Sequence, residues 1–427
     1  MTVLELAVGI AVLLAVFWVG RLLIHRFWPY RTTSIEAAGV LEHAQVQSSG
    51  PVRVTISALG RTEAHRVFGV PLAIRGIQPV WIEVENGEDV PLFYLRAGTD
   101  ASWYSPFETS WLARYRAARP ANRKLQDRCY DLSFKNPIPP GQTRCGCIFT
   151  RVDEGTKAVD LDLVGIGKVV HSFTFSLDVP GFRVDSQGID FEKLYAPQDV
   201  VDLESEDDLR EALEALPRCT SNKAGDRQGD PLNVVLIGTH ADGRAAFARR
   251  GWHPTEQTYA AAVWRTIRSF IFRARYRYSP VSPLYVFGRR QDISAQKARE
   301  SITLRNHARF WLTHLRFRGD PVWIGQISRD IGVRFVLGLP PTTHKIDPDV
   351  DEARGGLVQD LGYSQALARF GYVKGVGEAP RDAQRVNLTG DPYFTDGLRA
   401  VLFFDKRPLT LEKVEFIDQW ELPEPHR

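Results

Sequence analysis

An uncharged, mostly apolar run at the amino terminus, Leu6–Gly20 (LAVGIAVLLAVFWVG), constrains this chain more than any other feature. Extended from Val3 to Ile24, it is interrupted only by Glu5 and Arg21. Its length of about 20 residues matches what a helix needs to cross a hydrocarbon core about 30 Å thick. Both charges sit near the ends, where long side chains reach water, and Trp18, Trp28 and Tyr30 are placed for an interfacial belt. A cleaved leader would want a basic start and a small-x-small cleavage site, and residues 1–5 hold no Lys or Arg. The expectation is a transmembrane anchor helix over residues 1–28, with a buried soluble helix as the other reading. Arg21, Arg26 and Arg31 follow the run and only Glu5 precedes it, so the positive-inside rule favours a single-pass chain with its bulk in the cytoplasm. The opposite, periplasmic orientation would place four cysteines in an oxidising space.

The whole chain of 427 residues exceeds what one core usually spans, and its 44% hydrophobic against 25% charged residues is ordinary for globular domains. A net charge of +3 gives no global reason to expect nucleic acid as a partner. The cysteines, Cys129, Cys145, Cys147 and Cys219, form no CxxC pair, and Cys145-Gly-Cys147 reads as thiols flanking a strand glycine rather than half a metal site.

Residues 32–50 read as a polar connector. Val52–Ile56 alternates apolar and polar, as does Pro79–Glu85, which ends at the turn signal Asn86-Gly87 with Leu92–Leu95 as an expected partner strand. Further short strands are expected at Cys147–Thr150, Ala158–Leu163 and Ser172–Leu177. Together they suggest a β-sandwich-like domain over 45–183. Within it, Glu108–Leu125 reads as a basic helical insertion, either a solvated face or a surface for a partner or lipid headgroups. An acidic linker over 184–216 contains a short helical run, Leu209–Leu216.

A second domain is expected over 217–408. Asn233–Gly238 reads as a buried strand and Thr255–Arg275 as an amphipathic helix. Leu284–Phe287, Pro321–Gly325, Val333–Val336 and Ala400–Phe404 read as further strands. Strands and helices do not alternate strictly, so the fold class is α+β.

No GxSxG, GxxxxGK[ST], HExxH or GxGxxG occurs. Thr239-His240-Ala241-Asp242-Gly243 sits between a strand and a helix, where a His is a cap or a ligand-facing group. Three carboxylates, Asp347, Asp349 and Asp351, follow His344 at alternate positions. That pattern fits either a divalent cation held through oxygen or an acidic helix start favoured by the macrodipole. A second cluster, Arg289, Asp292, Arg305, His307 and Arg309, suits an anionic substrate, and equally buried ion pairs of the arginines with Asp292, Asp330 or Asp347 and cation–π contacts with Trp311. A helix would bring Arg305 and Arg309, four apart, onto one face.

The series Asp230–Gly238, Gly251-Trp252, Ser279–Asp292, Arg305–Trp311 (RNHARFW), Trp323–Gly325, His344–Arg354 (HKIDPDVDEAR) and Thr395–Gly397 resembles the LssY C-terminal domain family over about residues 217–405. Asn306 departs from that resemblance, which would place a second His beside His307. The family takes its name from a protein assigned to type I secretion, and its domain also occurs fused to membrane-embedded phosphatidic acid phosphatase and DedA-like segments. The resemblance implies work at a membrane and leaves the activity open. Two functions follow as expectations. One is a membrane-anchored envelope or secretion-accessory protein with membrane-protein partners. The alternative is a membrane-associated hydrolase of an anionic, phosphate- or lipid-linked substrate, with His344 and His307 catalytic, Arg289, Asp292, Arg305 and Arg309 binding substrate, and Asp347, Asp349 and Asp351 holding a metal. The alternative in this form requires those clusters to converge.

Overall fold

The computed structural model describes residues 9, 12–20, 30–114, 119–153, 155–180, 189–255, 283–298, 305–335, 342–405 and 409–423. It divides into two compact units, Met1–Phe173 with Leu177–Gly181, and Thr174–Ser176 with Phe182–Arg427. Most of the segment expected to be an anchor lies outside the described residues; residues 12–20 are helical. Among the described residues no helix is long and apolar enough to cross a membrane. The helix expected over Thr255–Arg275 also lies outside them, apart from Thr255.

In the first unit, strands β1 (Gln45–Ser49), β2 (Val52–Ala58), β3 (Ile77–Asn86) and β5 (Thr143–Arg151) form an antiparallel sheet in that order. The alternation read in β2 is the burial pattern, with Val52, Val54 and Ile56 inside. A second sheet runs β4 (Leu92–Tyr94), β6 (Thr156–Gly165), β7 (Val170–Asp178). Thus β4 pairs with β6, not with β3 as the turn signal suggested. Asn86 is the reason: its amide donates to the carbonyls of Val90, Ile138 and Pro139, which widens the turn and carries the chain to the other sheet.

Helices α1 (Arg61–Phe68), α2 (Arg96–Thr99), α3 (Pro106–Ala113) and α4 (Arg119–Asp131) accompany these sheets. Ala64, Val67 and Phe68 of α1 and Leu125 and Cys129 of α4 share a core with Cys147 and Phe149 of β5. The presumed connector is part of this core: Ile35, Ala38 and Val40 are buried. All four cysteines are free thiols, and burial pushes Cys129 and Cys147 up, away from the reactive thiolate.

The second unit is built on a mixed sheet. Its order is β12 (His253–Pro254), β15 (Ile293–Ala298), β16 (Arg305–Phe317), β17 (Asp320–Phe335), β11 (Val234–Ile237), β22 (Leu398–Phe404), β19 (Leu367–Lys374), β23 (Glu415–Phe416). At its margins β8 (Val201–Leu203) pairs with β16 and β18 (Thr342–Ile346) with β17. Smaller ladders join β9 (Cys219–Ser221), β10 (Gln228–Pro231), β13 (Tyr285–Val286) and β14 (Arg289–Arg290), and pair β20 (Arg385–Val386) with β21 (Pro392–Tyr393).

The uninterrupted apolar runs in β11 and β22 reflect burial on both faces. Val234, Leu236, Ala400 and Leu402 pack with Ala246 and Phe247 of α6 (His240–Arg249) and Leu357 and Leu361 of α7 (Val350–Gly362). The alternate residues Val235, Ile237, Val401 and Phe403 pack with Leu209 and Leu213 of α5 (Glu206–Ala215). The acidic stretch read as a linker is therefore integral to this unit. Ser205 caps α5, and three acids in its first turn suit the helix dipole.

Candidate functional site

Arg305 and Arg309 do share a face, but of a strand. In β16 the buried polar residues, Arg305, His307, Arg309 and Thr313, fall on one face, while Ala308, Phe310 and Leu312 point into the apolar layer. The helical expectation failed because a separation of four satisfies both periods. The antiparallel register completes the polar face: Gln296, His307 and Ser328 lie opposite one another across β15, β16 and β17, and Ser294, Arg309 and Gln326 form the next row. Asp330 closes the far end against Arg305. Beyond Arg309 the same face turns apolar at Trp311 and Ile324.

All of these side chains are buried, with Ser328 1% exposed and Asp330 0%. Burying polar and charged groups is unfavourable unless each is held by others. Arg305 Nε donates to Asp330 Oδ2 at 3.2 Å and Nη1 to Gln296 Oε1 at 2.5 Å. Arg309 Nη1 donates to Gln326 Oε1 at 2.9 Å. Gln326 Nε2, also buried, meets no acceptor among the described residues.

At the centre, His307 Nε2 lies 2.9 Å from Ser328 Oγ, and its Nδ1 lies 3.4 Å from Asp330 Oδ1. Burial pushes the imidazole below its ordinary range, while the Asp330 carboxylate acts in the opposite sense. A neutral ring with its proton on Nδ1, toward Asp330, leaves Nε2 to accept from the serine hydroxyl. Hydroxyl, imidazole and carboxylate thus stand in the order that nucleophilic catalysis uses, with the 3.4 Å approach of Nδ1 to Asp330 Oδ1 a contact short of hydrogen-bond geometry. The chain on either side of these strands, 299–304 and 336–341, lies outside the described residues.

Residues 213–398 match the family model of the LssY C-terminus. The second unit carries an LssY C-terminal domain. The matched stretch is under half of the chain, and no curated protein matches it.

The LssY C-terminal domain separates the remaining candidate residues. Arg289 forms a two-point ion pair with Asp292, at 3.0 and 2.9 Å, and donates to Tyr195 Oη and to the Leu312 carbonyl. Asp292 in turn accepts from the Leu312 N–H. This clasp fixes the corner before β15, seven residues along β16 from Arg305, or about 20 Å. His344 is in β18 opposite Val333, and its side chain is outside the described set.

Each aspartate of the acidic run has its own partner. Asp347 Oδ1 accepts from the Asp349 N–H, and Asp349 caps α7 by accepting from the N–H groups of Asp351 and Glu352. Asp351 accepts from Thr395 Oγ1 and the Asp396 N–H, and lies 3.2 Å from Arg354. Arg354 grips Asp396 at two points of 2.7 Å each. The Thr395-Asp396-Gly397 motif thus locks α7 to β22. Among the described residues no three His, Cys, Asp or Glu side chains are grouped to hold a metal ion. His240, at the start of α6, packs edge-on against Phe191.

The lowered His307 pKa has a sign that can be checked. Between the folded value and the ordinary 6.5, the unfolded chain binds the extra proton, so stability falls as pH drops below 6.5. The unfolding free energy of the full chain, read by urea denaturation, should fall on acidification by up to about 1.4 kcal/mol per pH unit from this group. His307→Gln should flatten that dependence. An unchanged slope would show that His307 remains protonatable in the fold.

Proposed function

We propose that the LssY C-terminal domain is a serine hydrolase that cleaves a carboxylic ester in a substrate bearing an anionic group. The observation that carries this reading is the contact of Ser328 Oγ with His307 Nε2, backed by Asp330. Ser328 Oγ adds to the ester carbonyl carbon as His307 Nε2 takes its proton. Asp330 stabilises the imidazolium that results. Arg309 and the Gln326 amide, two positions from Ser328 on the same face, supply donors for the oxyanion. Collapse breaks the bond to the alcohol, which leaves with the proton from His307. Water then attacks the acyl-serine with His307 again as base, which releases the acid and restores Ser328. Arg305 positions Asp330, and with Arg309 gives the site its preference for anions.

In this reading the N-terminal apolar run anchors the chain in a membrane as a single pass. The three arginines after the run favour a cytoplasmic domain and a substrate drawn from the lipid surface. Asp347, Asp349 and Asp351 serve the start of α7. A second reading is a membrane-bound accessory protein without catalysis, and what favours it is that the same polar side chains pair with one another and are closed from solvent.

The test is covalent labelling of the full chain in detergent with a fluorophosphonate probe, followed by peptide mapping. Attachment to Ser328 that disappears in both Ser328→Ala and His307→Gln supports the hydrolase. A cooperatively melting protein that takes up no label at Ser328 overturns it in favour of the accessory protein.

A further inference from the structure

The first unit carries a surface feature that the proposed chemistry does not use. On α3, Phe107 and Trp111 are one turn apart and therefore share a face, at 52% and 64% exposed. The Phe107 ring stacks on Tyr130 of α4, with centroids 5.5 Å apart. The Arg114 guanidinium lies over the Trp111 ring at 3.5 Å, and Lys135 Nζ over the Tyr130 ring at 3.6 Å. The result is a continuous stripe, Arg114–Trp111–Phe107–Tyr130–Lys135, with rings in the middle and a cation at each end. Exposed Arg123 and Lys124 follow on α4. Between residues 105 and 135 the sequence holds seven Lys and Arg against three Asp and Glu, and Glu108 is engaged in capping α3.

A soluble surface gains nothing from leaving three adjacent aromatic rings in water. We infer that this stripe is a peripheral docking surface for an anionic lipid membrane. Its composition selects that partner. Trp and Tyr suit the boundary between headgroups and acyl chains, with an apolar ring body and a polar edge. Arg and Lys extend along apolar surface while their charged heads meet phosphate. The basic excess favours negative over zwitterionic headgroups. The inference is independent of the hydrolase reading, since it concerns a different unit and different residues.

The test compares the full chain in nanodiscs of phosphatidylcholine alone with nanodiscs that include phosphatidylglycerol, read by amide hydrogen exchange over α3 and α4. Exchange there should slow by about threefold or more in the anionic discs only, and high salt should reverse it. The double variant Phe107→Ser, Trp111→Ser should lose the protection. Ile74→Ser, at another exposed apolar residue, should keep it. Equal exchange in both lipids, or protection that survives the double variant, overturns the inference. Protection that appears only when a second protein is added would also overturn it and assign the stripe to a protein partner.

Discussion

Replacing Arg399 with methionine should destabilise the second unit by at least about 3 kcal/mol, because several buried carbonyls lose their donor at once. Arg399 is fully buried at the start of β22. Nε donates to the Leu232 carbonyl, and the two terminal nitrogens donate to the carbonyls of Leu213, Leu216, Pro217 and Gly375. Leu213, Leu216 and Pro217 are at the carboxyl end of α5, where a helix leaves its last carbonyls without partners. A guanidinium there satisfies several of them and meets the negative end of the dipole. Burial lowers its pKa to about 10, which still leaves it charged at neutral pH. Gly375 makes the approach possible: its φ is +135°, and a Cβ there would stand 2.8 Å from the Arg399 guanidinium carbon. Methionine keeps most of the apolar stem and removes every donor. Arg399→Lys should fall between parent and Arg399→Met, since an ammonium cannot span the same carbonyls. Urea denaturation of the full chain, followed by tryptophan fluorescence, reads the difference. A loss under about 1 kcal/mol for Arg399→Met would mean that water replaces the guanidinium at the end of α5.

Local pattern revealed much of this architecture, while pairings between distant segments stayed hidden. Val52–Ile56, Asn233–Gly238 and Ala400–Phe404 read as strands because their apolar period or run survives intact in the structure. Leu209–Leu216 read as helical for the same reason, yet nothing in its acidic surroundings shows that Leu209 and Leu213 enter the core. Arg305, His307 and Arg309 stood out by residue type, but the separation of four between the two arginines fits a helix as well as a strand, and only the neighbour β17 decides. Asp330 is expected from sequence only as a buried ion-pair partner for the arginines, which it is for Arg305, whereas Gln326 and Ser328 were overlooked although all three repeat the same alternation on that neighbour. The available signal was the agreement of two polar-alternating segments separated by a tight turn at Arg318-Gly319, with Arg318 at φ 51° and Gly319 at φ +86°. Arg399 gave no signal at all, since its acceptors come from up to 186 residues away. Asp347, Asp349 and Asp351 look alike in sequence, and their separation into a turn, a cap and an anchor for β22 depends on backbone direction at the start of α7.

Ser328→Ala should lower the rate of ester cleavage by about 10⁴-fold or more, at a cost in stability of only about 1–3 kcal/mol because the buried His307 Nε2 loses its partner. The change removes a single oxygen whose described hydrogen bond is to His307, and alanine fits wherever serine does. Asp330→Asn should be comparably severe in kcat, because an amide can donate to Nδ1 and favour the wrong tautomer. It should also destabilise the unit, since Arg305 Nε then loses its carboxylate. The pH profile separates a catalytic from a merely structural role. Burial depresses His307, so in the parent the acid limb of kcat/KM should lie below pH 6.5. The Asp330 carboxylate raises the imidazole against that burial, so its removal should move the limb to still lower pH. Arg309→Lys should raise KM for an anionic ester more than for a neutral one, because a point charge cannot reproduce the planar fork. Activity of Ser328→Ala within tenfold of the parent would show that the hydroxyl is only a hydrogen-bond partner for His307. A retained acid limb in Asp330→Asn would show in turn that the carboxylate does not govern the imidazole.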